Sequence, residues 1–455
     1  MNIIEEYNSF NGIGFKRMID KKELYCVNII GYKKQYNGFE YYVLKKSNGE
    51  IIFDSYKFLN IRLSKSSDKQ RERCFIALKL LFSYMELFCL NSIYDFEINN
   101  VNKLLGFLKG GYRNGNNIIF KGKTQRSNST INNYIGVYRV YFDYLGIENS
   151  LFSKRKIIGI QKGGIGFFAH TQKQKIEKYK ISRKVYESNE VPSYISFEEY
   201  KEIIKLVREK YSLREEIIIK LMYEYGLRIG EVLGLTTEDI VNDERSKFSQ
   251  YQIQLRNRYS DKPFQRCKGC MNVYSRDVYQ EHEYQMKGFN HCGYQVVDIT
   301  SDTYELLQEY IEENLYSPFI SNKLKNNLKV KAKADKIKKN SYDNNYYIFI
   351  SKNYGPITGN AWNTILKSIF TEANIALDSQ VKKNGLNHRF RHGFAMFKVL
   401  VEGYDLLRLQ RVLRHSSPDS CRAYFKATKS DYIRFFEVKK RLLDNGGYFT
   451  NETIN

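Results

Sequence analysis

The first part of the chain has the alternating pattern of a β-sheet. From Leu24 to about Ser55, apolar and polar residues alternate around the dipeptides Asn37-Gly38 and Asn48-Gly49. Asn-Gly suits the positive φ angles of a tight hairpin turn, so the pattern predicts a three-stranded meander. Three strands need a covered face to be stable. We therefore expect a small β-rich module over residues 1–65, packed against the next domain of the chain.

The period then changes to that of a helix. Between residues 66 and 152, apolar side chains recur three and four positions apart, as they do on one face of an α-helix. The clearest stripes are Phe75, Leu78, Leu81, Phe82, Met85 and Phe88, and later Tyr134, Val137, Val140 and Tyr141. About four helices fit this length. The pattern predicts a compact helical domain.

A basic segment comes next, over residues 153–190. It holds ten basic residues against three acidic ones and contains the glycines of Lys162-Gly163-Gly164-Ile165-Gly166. A flexible cationic connector can track a phosphate backbone. A solvent-exposed linker without any role in DNA binding has the same composition. We expect the segment to be a linker in both cases.

The remainder, residues 191–455, is predicted to be one mainly helical domain with a small sheet. Ser196 and Glu199 form a capping-box signature for a helix that reaches Val207. Two strands are expected farther on, separated by a long insertion over about residues 257–293. They are Tyr251 to Arg256 and Gln295 to Ile299. A lysine-rich run over residues 323–339 is expected to be a basic loop, and helices return after Tyr346.

Charge narrows the class of partner. The 455 residues include 73 Lys and Arg against 50 Asp and Glu, for a net charge of +23. Such an imbalance favours a polyanion such as nucleic acid, because neutralised phosphates release counterions, although a basic protein of another kind is not excluded. The sequence has no apolar run of membrane-spanning length and no signal-peptide pattern, and its seven Cys are an odd number. We therefore expect a cytoplasmic protein with reduced thiols and no membrane partner.

Three short stretches carry the chemistry. In Gly226-Leu227-Arg228-Ile229-Gly230-Glu231, the Glu lies three residues after Arg228 and is placed to orient it. In His388-Arg389-Phe390-Arg391-His392, positions i, i+3 and i+4 place His388, Arg391 and His392 on one helix face. The third stretch runs from Leu413 to Tyr424. There Ser417 and Pro418 predict a helix start between His415 and Tyr424.

These residue types suit attack of a tyrosine on a phosphodiester. The phenol must lose a proton, the pentavalent phosphorus needs its extra charge stabilised, and the leaving 5′-hydroxyl must gain a proton. Arg228 and Arg391 suit the second task, because each guanidinium binds two phosphate oxygens and stays charged. His and Lys suit the proton transfers. No metal or cofactor is required.

Together and in this order, the three stretches resemble the boxes of the tyrosine recombinase (phage integrase) family. The resemblance covers about Val191 to Leu443 and implies a role for each residue. Arg228 and Arg391 would be the two catalytic arginines, His388 and His415 the catalytic histidines, and Tyr424 the nucleophile; Glu231 and His392 would be supporting residues. One departure is Arg414, where the family usually has Gly before the histidine.

The resemblance also implies a catalytic lysine on the hairpin between the first two boxes. The insertion offers Lys262, Lys287 and Lys268. Lys262 comes soonest after the first strand, so it is our prediction, with Lys287 next and Lys268 last.

The same insertion holds a second pattern, Cys267-Lys268-Gly269-Cys270, with His282, His291 and Cys292 beyond it. Two cysteines at this spacing with a later His and Cys are typical of a zinc knuckle. The adjacent pair His291-Cys292 does not chelate easily from both residues. Unpaired structural thiols without metal are therefore the prediction, and zinc remains the alternative.

The resemblance finally implies an architecture and an assembly. Residues 1–65 resemble an arm-binding module, residues 66–152 a core-binding (SAM-like) domain, and residues 191–455 the catalytic domain. Its C-terminal helix has an apolar stripe that would serve either as core or as an exchange helix docking on a neighbouring protomer. The stripe comprises Tyr432, Ile433, Phe435, Phe436 and Val438.

The sequence as a whole predicts an α+β, mostly helical, site-specific recombinase of a mobile element. By resemblance it would act as a homo-tetramer on two double-stranded DNA attachment sites, through a 3′-phosphotyrosyl intermediate and a Holliday junction, with an accessory or directionality factor as a further partner. Two alternatives stay open. One is a type IB topoisomerase-like enzyme that relaxes DNA, and the other is a non-catalytic DNA-binding protein with the same fold.

Overall fold

The computed structural model divides the chain into two compact units, Met1–Glu187 and Ser188–Asn455. The residues that the structure describes are 2–9, 12–36, 39–64, 66, 68–115, 118–147, 151–162, 173–185, 191–244, 249–288, 292–316, 345–353, 355–377 and 385–444. The lysine-rich run over residues 323–339 and His291 lie outside them.

The described residues of the first unit form nine strands. In chain order they are β1 (Asn2–Ser9), β2 (Gly12–Ile19), β3 (Lys22–Val27), β4 (Ile30–Tyr36), β5 (Phe39–Lys45), β6 (Gly110–Gly115), β7 (Ile118–Gln125), β8 (Arg155–Lys162) and β9 (Lys173–Tyr179). Five of them form one sheet in the order β3-β2-β1-β7-β6. Within it β1 and β7 are parallel, with Asn2 opposite Ile118, and the other pairs are antiparallel.

The helices of this unit cover the sheet. They are α1 (Phe53–Lys57), which continues as a π-helix (Phe58–Arg62), α2 (Asp68–Leu87), a 3₁₀ helix (Ile93–Asp95), α3 (Ile98–Lys109) and α4 (Asn128–Tyr144). Their apolar faces meet the sheet in one core, where Ile4 and Phe120 are buried beside Leu78 and Tyr138. Residues 66–152 contain α2, the 3₁₀ helix, α3 and α4, together with the strands β6 and β7. Because β7 lies between α3 and α4 and pairs with β1, residues 1–65 do not form a unit of their own, in contrast to the prediction.

The predicted meander differs in its third strand. Strands β4 and β5 pair antiparallel, with Tyr36 opposite Phe39, so they flank the predicted turn at Asn37-Gly38, which lies outside the described residues. After Gly49 only a single bridge forms, between Lys45 and Ile51. The chain then enters helix α1, where the Ser55 hydroxyl donates to the Ile52 carbonyl at 2.7 Å.

Part of the predicted linker forms a β-hairpin. Strands β8 and β9 pair antiparallel, with Arg155 opposite Tyr179. Arg139 of α4 donates to the carbonyls of Phe152 at 2.7 Å and Ile181 at 2.6 Å, which lie on either side of this hairpin. The segment is therefore a hairpin fastened at its base and not an open connector. Residues 163–172 lie outside the described part.

The second unit contains a small antiparallel sheet. Its strands are β10 (Ile240–Asn242), β11 (Tyr251–Leu255) and β12 (Gln295–Asp298), in the order β10-β11-β12. The two strands predicted from the sequence are β11 and β12, which pair with Ile253 opposite Val297.

Helices make up most of the remaining described part of the second unit. They are α5 (Phe197–Lys210), α6 (Leu213–Glu224), α7 (Ile229–Val232), two 3₁₀ helices (Thr237–Asp239 and Arg276–Gln280), α8 (His282–Gln285), α9 (Ser301–Ile311), which continues as a π-helix (Glu312–Tyr316), α10 (Gly359–Glu372), α11 (Leu386–Leu400), α12 (Leu406–Val412), a 3₁₀ helix (Pro418–Phe425) and α13 (Lys429–Asp444). The capping box of Ser196 and Glu199 begins α5 as predicted. The α+β, mostly helical fold class is confirmed.

The insertion between β11 and β12 folds back onto helix α7. Asn257 fastens it, because its side chain donates to the Cys267 carbonyl at 2.6 Å and accepts from the Cys267 N–H at 2.5 Å. A Cβ on Gly234 would lie only 2.7 Å from the Cα of Gln265. The small residue therefore lets the insertion lie directly beside the helix that begins after Arg228.

Candidate active site

The first box folds into a tight ion-pair cluster around Glu231. Arg228 stands at the N-cap of α7, where its Nη1 donates to Oε1 of Glu231 at 2.6 Å, and its own N–H donates to Oε2 at 2.9 Å. Arg414, from the third box, donates through Nη2 to the same Oε2 at 2.7 Å. Burial alone would raise the pKa of Glu231, but Arg414, Arg228 and Arg391 lower it to about 2. The carboxylate is therefore ionised across the physiological range.

Arg391 of the second box is held by backbone carbonyls. Its two terminal nitrogens donate to the carbonyls of Gly226 and Leu413, so one guanidinium joins the first box to the third. Gly226 has φ of +60°, and a Cβ there would lie 2.6 Å from the Phe394 ring. Glycine is therefore required at this turn. Burial, with the charges of Arg414 and Arg228, lowers the pKa of Arg391 to about 9.

The nucleophile candidate lies against a histidine. Nδ1 of His392 is 2.8 Å from the Tyr424 hydroxyl. Tyr424 is buried on the 3₁₀ helix Pro418–Phe425, which begins at Ser417 as predicted, although as a 3₁₀ helix. Burial raises the pKa of Tyr424 to about 12, in spite of the opposing effect of Arg391. The phenol is therefore protonated at rest and needs a base to react.

The second-box histidines lie side by side. The rings of His388 and His392 stack with centroids 5.9 Å apart. Burial, His388 and Arg391 together lower the pKa of His392 to about 4. Desolvation, with Arg391 and Arg228 nearby, also lowers the pKa of His388. Both imidazoles are therefore neutral at pH 7, and His392 is able to accept a proton from Tyr424.

His415 is paired with a thiol. Its Nδ1 lies 3.2 Å from Sγ of Cys421, one 3₁₀ turn away from Tyr424. Burial raises the pKa of Cys421 to about 11, so the sulfur keeps its proton. Burial and the charges of Arg391, Arg228, Lys268 and Arg414 lower the pKa of His415 to about 3. A protonated thiol donating to Nδ1 leaves the imidazole proton on Nε2.

The predicted lysine, Lys262, does not join this group. Its side chain is fully buried, and Nζ donates to the Asn345 carbonyl at 2.6 Å and lies 5.7 Å from the centre of the Tyr347 ring. Lys287 is exposed on a bridge to Tyr294. Lys268 is exposed and close enough to lower the pKa of His415. Lys268 is therefore our preferred candidate, although the sequence ranked it last, because its charge reaches His415.

The cysteine pattern of the insertion forms a pair of buried thiols. Sγ of Cys267 and Sγ of Cys270 lie 3.3 Å apart, and Cys270 forms a backbone bridge with Cys292. His282 is exposed on α8, while His291 lies outside the described residues. Among the described residues, no group of three or more His, Cys, Asp or Glu is arranged to hold a metal ion.

The electrostatics of the cluster suit an anion. In the described part of the site, Arg228, Arg391 and Arg414 surround a single carboxylate, Glu231, and every imidazole is neutral. A phosphate would meet an excess of fixed positive charge and preorganised guanidinium donors. The sequence motifs predicted all of these side chains as members of the site except Arg414 and Cys421. Their only signals were an Arg in place of Gly and a thiol one helical turn before the tyrosine.

The buried Arg391 and the half-buried Arg228, with neutral histidines and a tyrosine on a helical domain with a small sheet, define the tyrosine recombinase class. The chain belongs to this class through the phage integrase family, whose model matches residues 193–431. Enzymes of this family transfer DNA strands. Among the described residues, no helix has the length and apolar character needed to cross a membrane.

Similar proteins have been described. Transposase A from transposon Tn554 of Staphylococcus aureus is 27% identical over 262 residues, which are 54% of this chain and 68% of that protein. The XerH site-specific recombinase bound to its difH substrate superimposes with a TM-score of 0.48 at 15% identity, over 82% of this chain and 81% of that one. The Tn1549 transposon integrase with a circular intermediate DNA gives a TM-score of 0.47 at 15% identity, over 84% and 98%.

Proposed function

We propose that this protein is the site-specific recombinase of a mobile element and that Tyr424 is its nucleophile. The observation that carries the proposal is the 2.8 Å contact between the Tyr424 hydroxyl and Nδ1 of His392, beside the arginines of the other boxes. The similarity to the Tn554 transposase supports the mobile-element context. The substrate is double-stranded DNA carrying an attachment site.

In the first step, the Tyr424 oxygen attacks a DNA phosphorus while His392 accepts the phenol proton. His392 thus has a more direct role than the supporting one expected from the sequence. Arg228 and Arg391 bind the non-bridging oxygens, where negative charge develops. The P–O5′ bond breaks, leaving a 3′-phosphotyrosyl link and a free 5′-hydroxyl.

The leaving oxygen needs a proton, and we assign this task to two groups. His415 has its Nδ1 occupied by Cys421, so Nε2–H is free to donate toward the scissile phosphate. Lys268, whose charge lowers the pKa of His415, is the candidate proton donor in place of Lys262. His388 stacks on His392 and holds the orientation of that base.

In the second step, the 5′-hydroxyl from one duplex attacks the phosphotyrosyl phosphorus on another and passes its proton back to the group that had donated it. The P–O bond to Tyr424 breaks, His392 returns the proton to the phenol, and the exchange proceeds through a Holliday junction. The covalent link conserves the phosphodiester bond, so no energy source is needed. This exchange requires a homo-tetramer on two DNA sites, with an accessory or directionality factor as a further partner. The support is helix α13, where Phe435 and Val438 are buried in the unit but Tyr432, Ile433 and Phe436 are exposed.

The test is covalent capture of DNA. Wild type and Tyr424→Phe would be incubated with fragmented DNA from the source and then denatured, with Tyr304→Phe, a tyrosine on α9 outside the cluster, as the matched control. We expect wild type and Tyr304→Phe, but not Tyr424→Phe, to become attached to DNA 3′ ends. Sequencing of those ends then identifies the attachment site.

Other outcomes of the same experiment separate the alternatives. Adducts that survive Tyr424→Phe would mean that another residue is the nucleophile. Relaxation of plasmid without site preference would favour a topoisomerase, and DNA binding without any adduct would favour a non-catalytic DNA-binding protein.

A further inference from the structure

Arg414 has a backbone conformation that glycine adopts readily and arginine rarely. Its φ is +53°, in the left-handed region, where a Cβ is disfavoured. The turn ends helix α12, with the Arg414 N–H donating to the Arg411 carbonyl at 3.0 Å and the His415 N–H to the Gln410 carbonyl at 3.0 Å. Glycine would make the same turn without strain. The reason for an arginine must therefore lie in its side chain.

That side chain reaches into the first box. Its Nη2 donates to Oε2 of Glu231 at 2.7 Å, and the two side chains are only 3% and 0% exposed. Its Nη1 is 3.4 Å from the Val412 carbonyl, and its buried Nε has no partner among the described residues. The guanidinium is therefore directed chiefly to one oxygen of one carboxylate.

The other oxygen of Glu231 holds Arg228. Nη1 of Arg228 donates to Oε1 at 2.6 Å, so each carboxylate oxygen has its own arginine. A carboxylate fixed at both oxygens cannot rotate, which fixes the plane of the Arg228 guanidinium as well. Without Arg414, Oε2 would keep only the Arg228 N–H, so Glu231 would be held by Arg228 alone and the two side chains could shift together.

We propose that Arg414 is a positioning residue of this active site, acting through Glu231 to orient Arg228 toward the scissile phosphate. It also links two elements, the turn just before His415 and the helix that begins after Arg228. This contact fixes the first and third boxes relative to each other. This role rests on the proposed function, because its effect is defined by strand cleavage.

The experiment measures single-turnover adduct formation on a DNA fragment that wild type captures. Arg414→Gly removes the guanidinium and the backbone strain together, and Arg414→Lys keeps the charge without the fork. Arg411→Ala, three residues earlier at an exposed position of α12, is the matched control. DNA affinity and melting temperature are measured for every variant.

We expect Arg414→Gly to slow cleavage about 10- to 100-fold, as loss of one charge-assisted hydrogen bond to a buried group predicts. DNA affinity should change less than about threefold. Arg414→Lys should recover part of the rate, and Arg411→Ala should match wild type.

A double-mutant cycle with Glu231→Gln separates positioning from general support of the fold. If Arg414 acts through Glu231, Arg414→Gly should add less than about threefold to the defect of Glu231→Gln. Fully additive losses, or a wild-type rate in Arg414→Gly, would overturn the proposal. If Arg414→Gly melts well below wild type, Arg414→Gln takes its place in the double-mutant cycle with Glu231→Gln. The same threefold limit on the added defect then decides. Absence of any adduct with wild type would overturn the proposed function first, and this role with it.

Discussion

The Tyr424 hydroxyl and Nδ1 of His392 are 2.8 Å apart, although the two residues are 32 positions apart in the chain. The phenol is buried, with its pKa raised to about 12, and the imidazole has its pKa lowered to about 4. At neutral pH the phenol is therefore protonated and the imidazole neutral, and in its Nε2–H tautomer the imidazole accepts the phenol's hydrogen bond at Nδ1. This is the ground state from which a base-assisted attack begins.

The first prediction concerns that base. His392→Gln should slow adduct formation about 100-fold or more, because the phenol loses its proton acceptor. His282→Gln, a histidine exposed on the insertion, is the control and should leave the rate unchanged. Single-turnover capture on denaturing gels measures both variants. An unchanged rate in His392→Gln would assign the proton to another acceptor.

The second prediction concerns pH. His392 and His415 have pKa values lowered to about 4 and about 3, so both are neutral in the folded protein above about pH 5. As pH falls through these values the imidazoles become protonated, and His392 can no longer accept a proton. Cleavage by wild type should therefore be flat between about pH 6 and 8 and fall below about pH 5. A midpoint near the ordinary histidine value of about 6.5 would contradict the burial of this pair.

The sequence predicted those contacts of the site that join residues close together in the chain, but not those between distant parts of it. Arg228 with Glu231, and His388 with Arg391 and His392, lie within one helical turn, so spacing alone placed each set on one face. The Glu231–Arg414 contact spans 183 positions and has no periodic signal. Its only trace in the sequence was an arginine at a position expected to be glycine.

The fold shows the same division. Helix α5 with its capping box and the strands β11 and β12 were predicted from local patterns. The pairing of β1 with β7 places Asn2 opposite Ile118, and no local pattern marks which distant strands will be neighbours. The strands β1 and β2 were not predicted. The fold of the insertion has no local signal either, so chain order alone does not decide between Lys262 and Lys268.

The third prediction tests those two lysines. Lys268→Ala should slow cleavage and leave the melting temperature near that of wild type, because the side chain is exposed. Lys262→Ala should lower the melting temperature, because its buried Nζ holds the Asn345 carbonyl and the substitution removes that hydrogen bond. Adduct rates of the folded variants, with melting curves, measure both. A cleavage defect confined to Lys262→Ala would restore the sequence-based choice.

The fourth prediction concerns acid stability. The pKa of Glu231 is depressed to about 2, so its stabilisation is fully present above the ordinary carboxyl value and is lost as pH falls from about 5 to 2. The difference in unfolding free energy between wild type and Glu231→Gln should shrink by about 3 kcal/mol across that window. Denaturant titrations at several pH values measure it. A difference that is constant with pH would mean that the pKa of this carboxyl is not depressed.

The last prediction concerns assembly. Tyr432, Ile433 and Phe436 are exposed on α13, whereas Phe435 on the same helix is 1% exposed. Ile433→Ser with Phe436→Ser should weaken tetramer formation on paired DNA sites and leave the melting temperature and binding to one site unchanged. Phe435→Ala should instead destabilise the fold by about 3 to 5 kcal/mol. Sedimentation of the protein with one or two sites distinguishes these effects. An intact tetramer in the double serine variant would assign the exposed face another role, because an interface that relies on this stripe cannot lose two of its apolar anchors without weakening.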